Sequence, residues 1–261
     1  MNGKVLITGG SRGIGDSLSR LLISEGHQVY SLARSTSSFT HPNFIQLEYD
    51  LSGVHELSHS IDEFLKKYGL PDLLINNAGY GTFSQWDQFP ESEIHRQLDV
   101  LFKAPVILCQ KLVPLMAERK SGVVINLSSL ATLYPLPFMP LYNAGKSALS
   151  SFTQSMMLEY RNVPTFIDFR MGDVKTGFNN SSKKSTSSKL KTGKAWQQIQ
   201  KQLNHSITPD HASQLIWKRI QAGKSGTFYG GTMFHGYFLP FVDKFLPYSI
   251  KRNLIKVWYG L

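Results

Sequence analysis

Tyr142 and Lys146 stand four residues apart at the head of Leu141–Tyr160, a stretch with helical spacing, so their side chains share one face. A phenol with a pKa near ~10 is a poor acid–base group at neutral pH; a neighbouring ammonium favours the phenolate and lowers that value. Such a phenol can give a proton to a carbonyl oxygen or take one from an alcohol. Ser129 lies just beyond the apolar run Val123–Leu127, read as a strand, at the end where a parallel sheet faces its ligands. Its hydroxyl can hydrogen-bond the same oxygen. A Tyr-xxx-Lys pair arises by chance on many surface helices, so this chemistry depends on what accompanies it.

A second group of residues has the spacing of a phosphate cradle. The predicted strand Val5–Thr8 turns into Gly9-Gly10-Ser11-Arg12-Gly13-Ile14-Gly15 and then into helical sequence. The first N–H groups of that helix and its dipole attract an anion. Gly9 permits the turn, Gly13 lets the backbone approach a pyrophosphate, and Gly15 allows close helix–strand contact. A dinucleotide is therefore expected. At the end of the second strand the chain reads Leu32-Ala33-Arg34-Ser35, with no acid to hold a ribose hydroxyl. Arg34 and Arg12 can clamp a 2′-phosphate, which predicts NADP(H) over NAD(H). Gly145-Lys146-Ser147 and Gly223-Lys224-Ser225 end like a P-loop, but Pro140 and Lys218 stand where its first glycine must be.

The elements that must position these groups alternate between short apolar runs and amphipathic stretches, the pattern of a parallel sheet with crossover helices. Val5–Thr8, Gln28–Ala33, Phe44–Glu48, Leu73–Asn76, Val123–Leu127, Thr165–Arg170 and Thr227–Tyr229 are predicted strands. Ile14–Glu25, Val54–Tyr68, Glu93–Arg119, Leu141–Tyr160 and Pro209–Ala222 are predicted helices, the last opened by a Thr208 cap and Pro209. Between Arg34 and Asn43 the Ser/Thr-rich connection leaves room for a vestigial helix at best.

With 261 residues, 41% hydrophobic and 18% charged, the chain suits one globular α/β domain over residues 1–261. The single cysteine, Cys109, excludes an internal disulfide and reads as a small core residue. The eight histidines show no paired ligand spacing, so no metal is expected. Neither a signal-peptide pattern nor an uncharged stretch of bilayer-spanning length is found, and a cytoplasmic protein is expected. The net charge of +10 is concentrated at Lys183–Lys194 and Lys244–Lys256. It suits either a solvated surface or an anionic partner, such as a phosphorylated cofactor, a thioester carrier or lipid headgroups. No nucleic-acid module is present, and no nucleic-acid partner is expected.

Taken together, these residues resemble the short-chain dehydrogenase/reductase superfamily in its compact single-domain branch. The resemblance runs from residue 4 to about residue 230. It includes Thr-Gly-xxx-Gly-Ile-Gly at Thr8–Gly15, Asp50-Leu51, Asn76-Asn77-Ala78-Gly79, Ser129, and Tyr142-xxx-Lys146. A later loop, Met171-Gly172-Asp173-Val174-Lys175-Thr176, follows in order. The resemblance implies a Rossmann-type doubly wound seven-stranded parallel sheet with helices on both faces, and catalysis by Ser129, Tyr142 and Lys146. It implies cofactor contacts from Thr8, Gly9, Ser11, Arg12, Gly13, Ile14, Gly15, Arg34, Asp50, Leu51, Asn77, Ala78, Gly79, Tyr142, Lys146, Gly172, Val174 and Thr176. In that scheme Lys146 also holds the nicotinamide ribose, Thr176 the carboxamide, and Asn76 and Gly79 mainly stabilise the central sheet. A homodimer or homotetramer through the two long helices is implied as well.

Two positions depart from the family. Leu101 stands where an asparagine usually supports a water leading to the lysine, and Asp99 points to another helix face. Met171 replaces a proline. Asn179–Gly193, a run of Ser, Thr and Lys, falls where the family carries its substrate lid and is expected to be mobile. The C-terminal extension, residues 231–261, interleaves aromatics with Lys244, Lys251, Arg252 and Lys256. It suits a weak peripheral membrane contact, closure of the substrate pocket or a subunit interface, and Pro240 and Pro247 interrupt any long helix there. The expected function is NADPH-dependent reduction of an apolar or lipid-like ketone or aldehyde, with Tyr142 as acid and base. The alternative, favoured by Leu101, is a dinucleotide-binding protein with weakened chemistry acting as a redox sensor or partner subunit.

Overall fold

The computed structural model describes residues 3–161, 163–176 and 190–261. Seven parallel strands form one sheet: β1 (Lys4–Thr8), β2 (Gln28–Ala33), β3 (Phe44–Glu48), β4 (Leu73–Asn76), β5 (Val123–Ser129), β6 (Thr165–Met171) and β7 (Gly226–Gly230). Their order is β3-β2-β1-β4-β5-β6-β7. All pairings are parallel, in registers such as Val5↔Leu73 and Asn126↔Asp168. A sheet covered on both faces needs continuous apolar strands rather than alternating ones. β4 is accordingly buried along its whole length, and β5 along all but its first residue. The fold is the Rossmann-type doubly wound arrangement expected from the motifs.

Two apolar layers sandwich the sheet. On one face α1 (Gly13–Ser24) and α7 (Pro209–Ala222) bury Leu18, Leu22, Ala212 and Ile216 against Val5, Ile75 and Ile167. On the other, Leu6, Leu74, Val124 and Phe166 meet α2 (Val54–Tyr68) and the long helical column after β4. That column comprises α3 (Glu91–Leu98), a π-helical turn (Asp99–Lys103) and α4 (Ala104–Glu118). Glu91–Glu118 is long and apolar enough to cross a bilayer by length and composition, but half of its most apolar stretch is buried in the protein. With Leu108, Leu112 and Met116 fully buried, it serves as a core helix. α5 (Pro140–Glu159) packs beside it, and Cys109 is a buried core residue whose thiol is pushed up to about 12 by burial.

No helix forms between Arg34 and Asn43. Phe39 instead pins this crossover, with the Arg20 guanidinium 4.2 Å above its ring and Phe44 at 5.5 Å. Three helices lie outside the predicted set: α6 (Leu190–Asn204), α8 (Leu239–Asp243) and α9 (Tyr248–Tyr259). A π-helical turn, Phe234–Phe238, runs directly into α8. α6 begins inside the run read as a mobile lid, so residues 190–193 are helical; residues 179–189 of that lid lie outside the described residues. Together α6 and α9 build a third apolar cluster, in which Ala195, Ile199 and Tyr259 cover Phe83 and Met139.

Phe166 is fully buried at the centre of the second layer. Truncating it leaves a cavity that close-packed neighbours fill only in part, so Phe166→Ala should cost about 3–5 kcal/mol, read as a large fall in thermal midpoint.

Candidate active site

The chain runs outward from β1 to β2 and β3, then returns to start β4 on the other side of β1. Connections on the two sides leave in opposite directions, so a crevice opens beyond the C-terminal ends of β1 and β4, where open α/β sheets bind ligands. It holds a cavity of about 880 Å³. Of the residues implicated by sequence, Gly9, Ser11, Arg12, Gly13, Ile14, Arg34, Asp50, Leu51, Asn77, Ala78, Gly79, Ser129, Tyr142, Lys146, Gly172, Val174 and Thr176 line it.

Thr8 and Gly15, also implicated by sequence, do not line it. Thr8 is buried, and its hydroxyl accepts the N–H groups of Asn77 and Ala78, each at 3.0 Å, while Asn77 Nδ2 donates to the carbonyls of Thr8 (2.9 Å) and Gly9 (3.1 Å). Asn77 thus locks the turn after β1 to the end of β4. Gly9 adopts φ +68°, a left-handed conformation that favours glycine, and a Cβ on Gly15 would sit 2.1 Å from the Gly9 carbonyl oxygen. Gly15 is therefore required for close approach rather than for touching a ligand. Arg12 caps α1 without a side-chain hydrogen bond, and Gly13 and Ile14 of its first turn border the cavity. This cradle fits a pyrophosphate.

At the far end of the cradle, Ser11 Oγ and Ser35 Oγ are 3.1 Å apart beside the exposed side chains of Arg12 and Arg34. Arg34 lies 3.8 Å from the Asp50 carboxylate, which Arg96 also approaches at 3.5 Å. Hydrogen bonds from Ser52 and the two arginines hold Asp50 below the ordinary carboxylate range despite some burial. Asp50 comes from the end of β3, so the end of β2 itself presents cations and hydroxyls only.

The candidate reacting groups come from β5 and α5. β5 runs two residues further than its apolar run suggests, so Ser129 is its last residue; it also caps a short turn by accepting the Ala131 N–H at 3.1 Å. Asn143 fixes the approach to α5 by bonding both the N–H (3.1 Å) and the carbonyl (2.8 Å) of Leu136. One turn on, Lys146 is 5% exposed, and its ammonium donates to the Leu127 carbonyl at 2.5 Å. Burial lowers the Lys146 pKa to about 8, and the Asp168 carboxylate acts against that shift. Asp168 is fully buried, accepting from Ser128 and, at 2.6 Å, from Ser150, and pairing with Arg170 at 3.1 Å.

Tyr142 departs from the expected electrostatics. Its pKa is raised, first by burial and then by the Asp173 carboxylate, with a Ser129 hydrogen bond acting the other way. In this environment the phenol is held protonated, as a proton donor must be.

Leu101 lies on the π-helical turn and is fully buried. A Cβ on Gly145 would come within 2.8 Å of Leu101 Cβ, and one on Gly79 within 3.2 Å of Leu101 Cδ2 and 3.4 Å of Lys146 Nζ. The leucine therefore fills the space beside the ammonium. Asp99 turns away to Lys103, 2.8 Å from its Nζ.

Several cavity residues were given no role by the sequence. Asp173 and His235 line it, with the imidazole Nε2 3.9 Å from the carboxylate, and burial raises the Asp173 pKa while His235 opposes it. Phe238, Leu246, Leu254 and Trp258 of the C-terminal extension close its upper part. Lys251 anchors that extension beside the turn that follows β5, pairing with Asp243 and donating to the Leu133 carbonyl at 3.2 Å. The aromatics of the extension were legible as pocket-closing candidates; Asp173, Asp168 and His235 were not, because a lone acid or histidine in a loop or strand has no spacing to read.

The family model described as short chain dehydrogenase matches residues 3–186. An uncharacterized oxidoreductase of Schizosaccharomyces pombe is 32% identical over 158 residues, 59% of this chain and 54% of that protein. A 3-ketodihydrosphingosine reductase of Bacteroides thetaiotaomicron is 29% identical over 180 residues, 68% of this chain and 66% of that one. The chain thus spans about half to two thirds of these curated relatives. A short-chain dehydrogenase from Streptomyces avermitilis has the same fold, with a TM-score of 0.80 at 20% identity over 98% of this chain and 95% of that one.

Because Asp168 supports the charge on Lys146, Asp168→Asn should move the lysine's titration midpoint below 8. Side-chain nitrogen NMR of labelled lysine across a pH series reads this directly; an unmoved midpoint would remove Asp168 from the site's electrostatics.

Proposed function

The chain belongs to the short chain dehydrogenase family, and from that premise we propose that it is an NADPH-dependent oxidoreductase reducing an apolar ketone or aldehyde to an alcohol. The observation that carries this reading is that Ser129, Tyr142 and Lys146 line the cavity whose other end is the glycine cradle of α1. When bound, the nicotinamide supplies the hydride. This chain's residues do the rest. The Tyr142 hydroxyl gives its proton to the carbonyl oxygen, and Ser129 hydrogen-bonds that oxygen as negative charge develops on it. Lys146, held between the Leu127 carbonyl and the cleft, keeps a positive charge near the phenolate that remains. With its pKa raised by burial, the phenol begins as the acid that carbonyl reduction uses.

The preference for NADPH is read from Arg12 and Arg34 and from the lack of an acid at the end of β2. Apolar substrate character is read from Leu136, Met139, Leu246 and Leu254 around the cavity. A ketone is also named in the 3-ketodihydrosphingosine reductase to which the chain is similar. Asp173 and His235 supply a polar corner suited to a hydroxyl or amine beside the carbonyl.

Leu101 supports the second reading, nucleotide binding with weakened chemistry, since it fills the space beside Lys146 that a proton-carrying water would need. Turnover separates the two. Tyr142→Phe should bind NADPH as the parent does while losing at least about a hundredfold in kcat, measured by NADPH consumption over a panel of ketones and aldehydes. A parent protein that binds NADPH and reduces none of them would favour the second reading. Arg34→Asp should lower the NADPH-to-NADH ratio of kcat/KM by about ten- to a hundredfold, the worth of a charged hydrogen bond to phosphate replaced by a carboxylate. An unchanged ratio would exclude Arg34 from the clamp.

A further inference from the structure

We propose that the C-terminal extension is a docking surface for an anionic lipid bilayer, which seats the mouth of the cavity against the membrane. The segment presents two exposed apolar stripes. In α9, Ile250, Leu254, Val257 and Trp258 are exposed, and their spacing of four, seven and eight residues places them on one helical face; Leu261, beyond the left-handed Gly260 that ends the helix, is exposed as well. In the turn before α8, in α8 itself and just beyond it, Phe234, Tyr237, Phe238, Phe241 and Phe245 recur at intervals of three, four, seven and eleven residues and are also exposed. Val257 is 81% exposed and Phe245 72%. The opposite side of α9 is already occupied, with Tyr259 buried and Ile255 packed beside it in the third apolar cluster. Ile250, Tyr237, Phe241 and Phe245 do not line the cavity and are additional to the fold's own requirements, and contiguous exposed apolar surface of this kind marks an interaction site.

Charge selects the occupant. Between residues 231 and 261 the sequence has one acid, Asp243, against Lys244, Lys251, Arg252 and Lys256. Asp243 is paired with Lys251, which leaves Lys244, Arg252 and Lys256 on the exposed surface beside the aromatics. A second copy meeting this face with its own would bring like charges together around an apolar contact. An anionic leaflet neutralises them while accepting the aromatic rings, and basic residues near such a surface each add to binding. The chain's own Asn179–Lys189 contains only Asn, Ser, Thr and Lys, so it offers nothing apolar to cover the stripes and adds further positive charge. The stripes are continuous with the cavity, because Phe234, Phe238, Leu254, Val257 and Trp258 belong to both. An apolar carbonyl compound dissolved in the bilayer would reach Tyr142 without crossing water. That consequence rests on the proposed reduction; the docking does not.

The test uses the full chain with vesicles of phosphatidylcholine, with and without phosphatidylserine, at low and high salt. Sedimentation with the anionic vesicles, reduced by salt and weak with the neutral ones, is expected. Phe241→Glu/Phe245→Glu/Tyr248→Glu, changed at exposed positions outside the cavity lining, should lose this binding yet reduce a short water-soluble ketone at the parent rate. Lys244→Glu/Arg252→Glu/Lys256→Glu should weaken it at least about tenfold and guards against misfolding of the first variant. Failure to sediment with anionic vesicles at low salt overturns the proposal. So does a concentration-dependent dimer, seen by ultracentrifugation and abolished by the aromatic variant, in a protein that ignores vesicles. Vesicle binding without turnover of any carbonyl would leave the docking standing and overturn the reductase reading instead.

Discussion

The structure depends on the lock between the ends of β1 and β4. Where a parallel sheet reverses its winding, two neighbouring strands send their chains apart, and nothing in the sheet ladder holds the loops that follow. Here Thr8 and Asn77 do so: one hydroxyl accepts two backbone N–H groups, and one amide donates to two carbonyls. Each bond is modest, about 0.5–1.5 kcal/mol. Their importance is geometric, since they hold the glycine turn open as a cradle and keep Gly79 at its place beside Lys146 and Leu101. A second polar chain continues the same work below the cleft, from Asn76 to Asn126 at 2.7 Å and from Asn126 to Thr153 at 2.8 Å, tying β4 and β5 to α5. Ser129, Tyr142 and Lys146 sit on elements that this polar ladder fixes.

Within that frame the main electrostatic problem is a buried ammonium. Burial favours the neutral lysine, and Leu101 adds an apolar wall where a hydrated group would ease the cost. Two features offset this, the Leu127 carbonyl in direct contact and Asp168 below. Asp168 is itself tolerable only because Ser128, Ser150 and Arg170 satisfy it. The site thus compensates for the apolar Leu101 through fixed protein dipoles and a paired acid. A lysine held near 8 stays mostly charged at neutral pH, so a positive charge remains in the cleft.

Much of this was legible in order and spacing. The alternation of apolar runs and amphipathic stretches specified seven strands and the helices flanking them, because parallel strands buried on both faces must be apolar throughout. The glycine turn and the Tyr142–Lys146 pair were legible because each has a fixed spacing imposed by geometry. What escaped has physical reasons. That the Thr8 hydroxyl accepts the N–H groups of Asn77 and Ala78 has no spacing to announce it, because its partners lie about seventy residues away. The phenol's raised pKa could not be foreseen from Lys146 alone, since burial and Asp173 depend on loops brought together from distant sequence. The break in the long helix at Asp99–Lys103 has no glycine or proline within it to announce a π-helical turn.

The C-terminal helices escaped for a different reason, and that reason bears on what they do. Pro240 and Pro247 cut the segment into pieces too short for a helical period to show in a long window, and the apolar residues occur on more than one face of each piece. A helix serving only as a roof would be apolar inward and polar outward, as α2 is, with Leu57, Ile61 and Phe64 in the core and Lys66 and Lys67 in its last turn. α9 instead presents Tyr259 and Ile255 to the protein and a second apolar stripe outward, with Arg252 and Lys256 one helical turn apart between them. In water that arrangement exposes surface without return, whereas at a boundary between water and an apolar phase each face has its own solvent. The inner face completes the cavity around Tyr142, so whatever contacts the outer face acts on the same helix that closes the site.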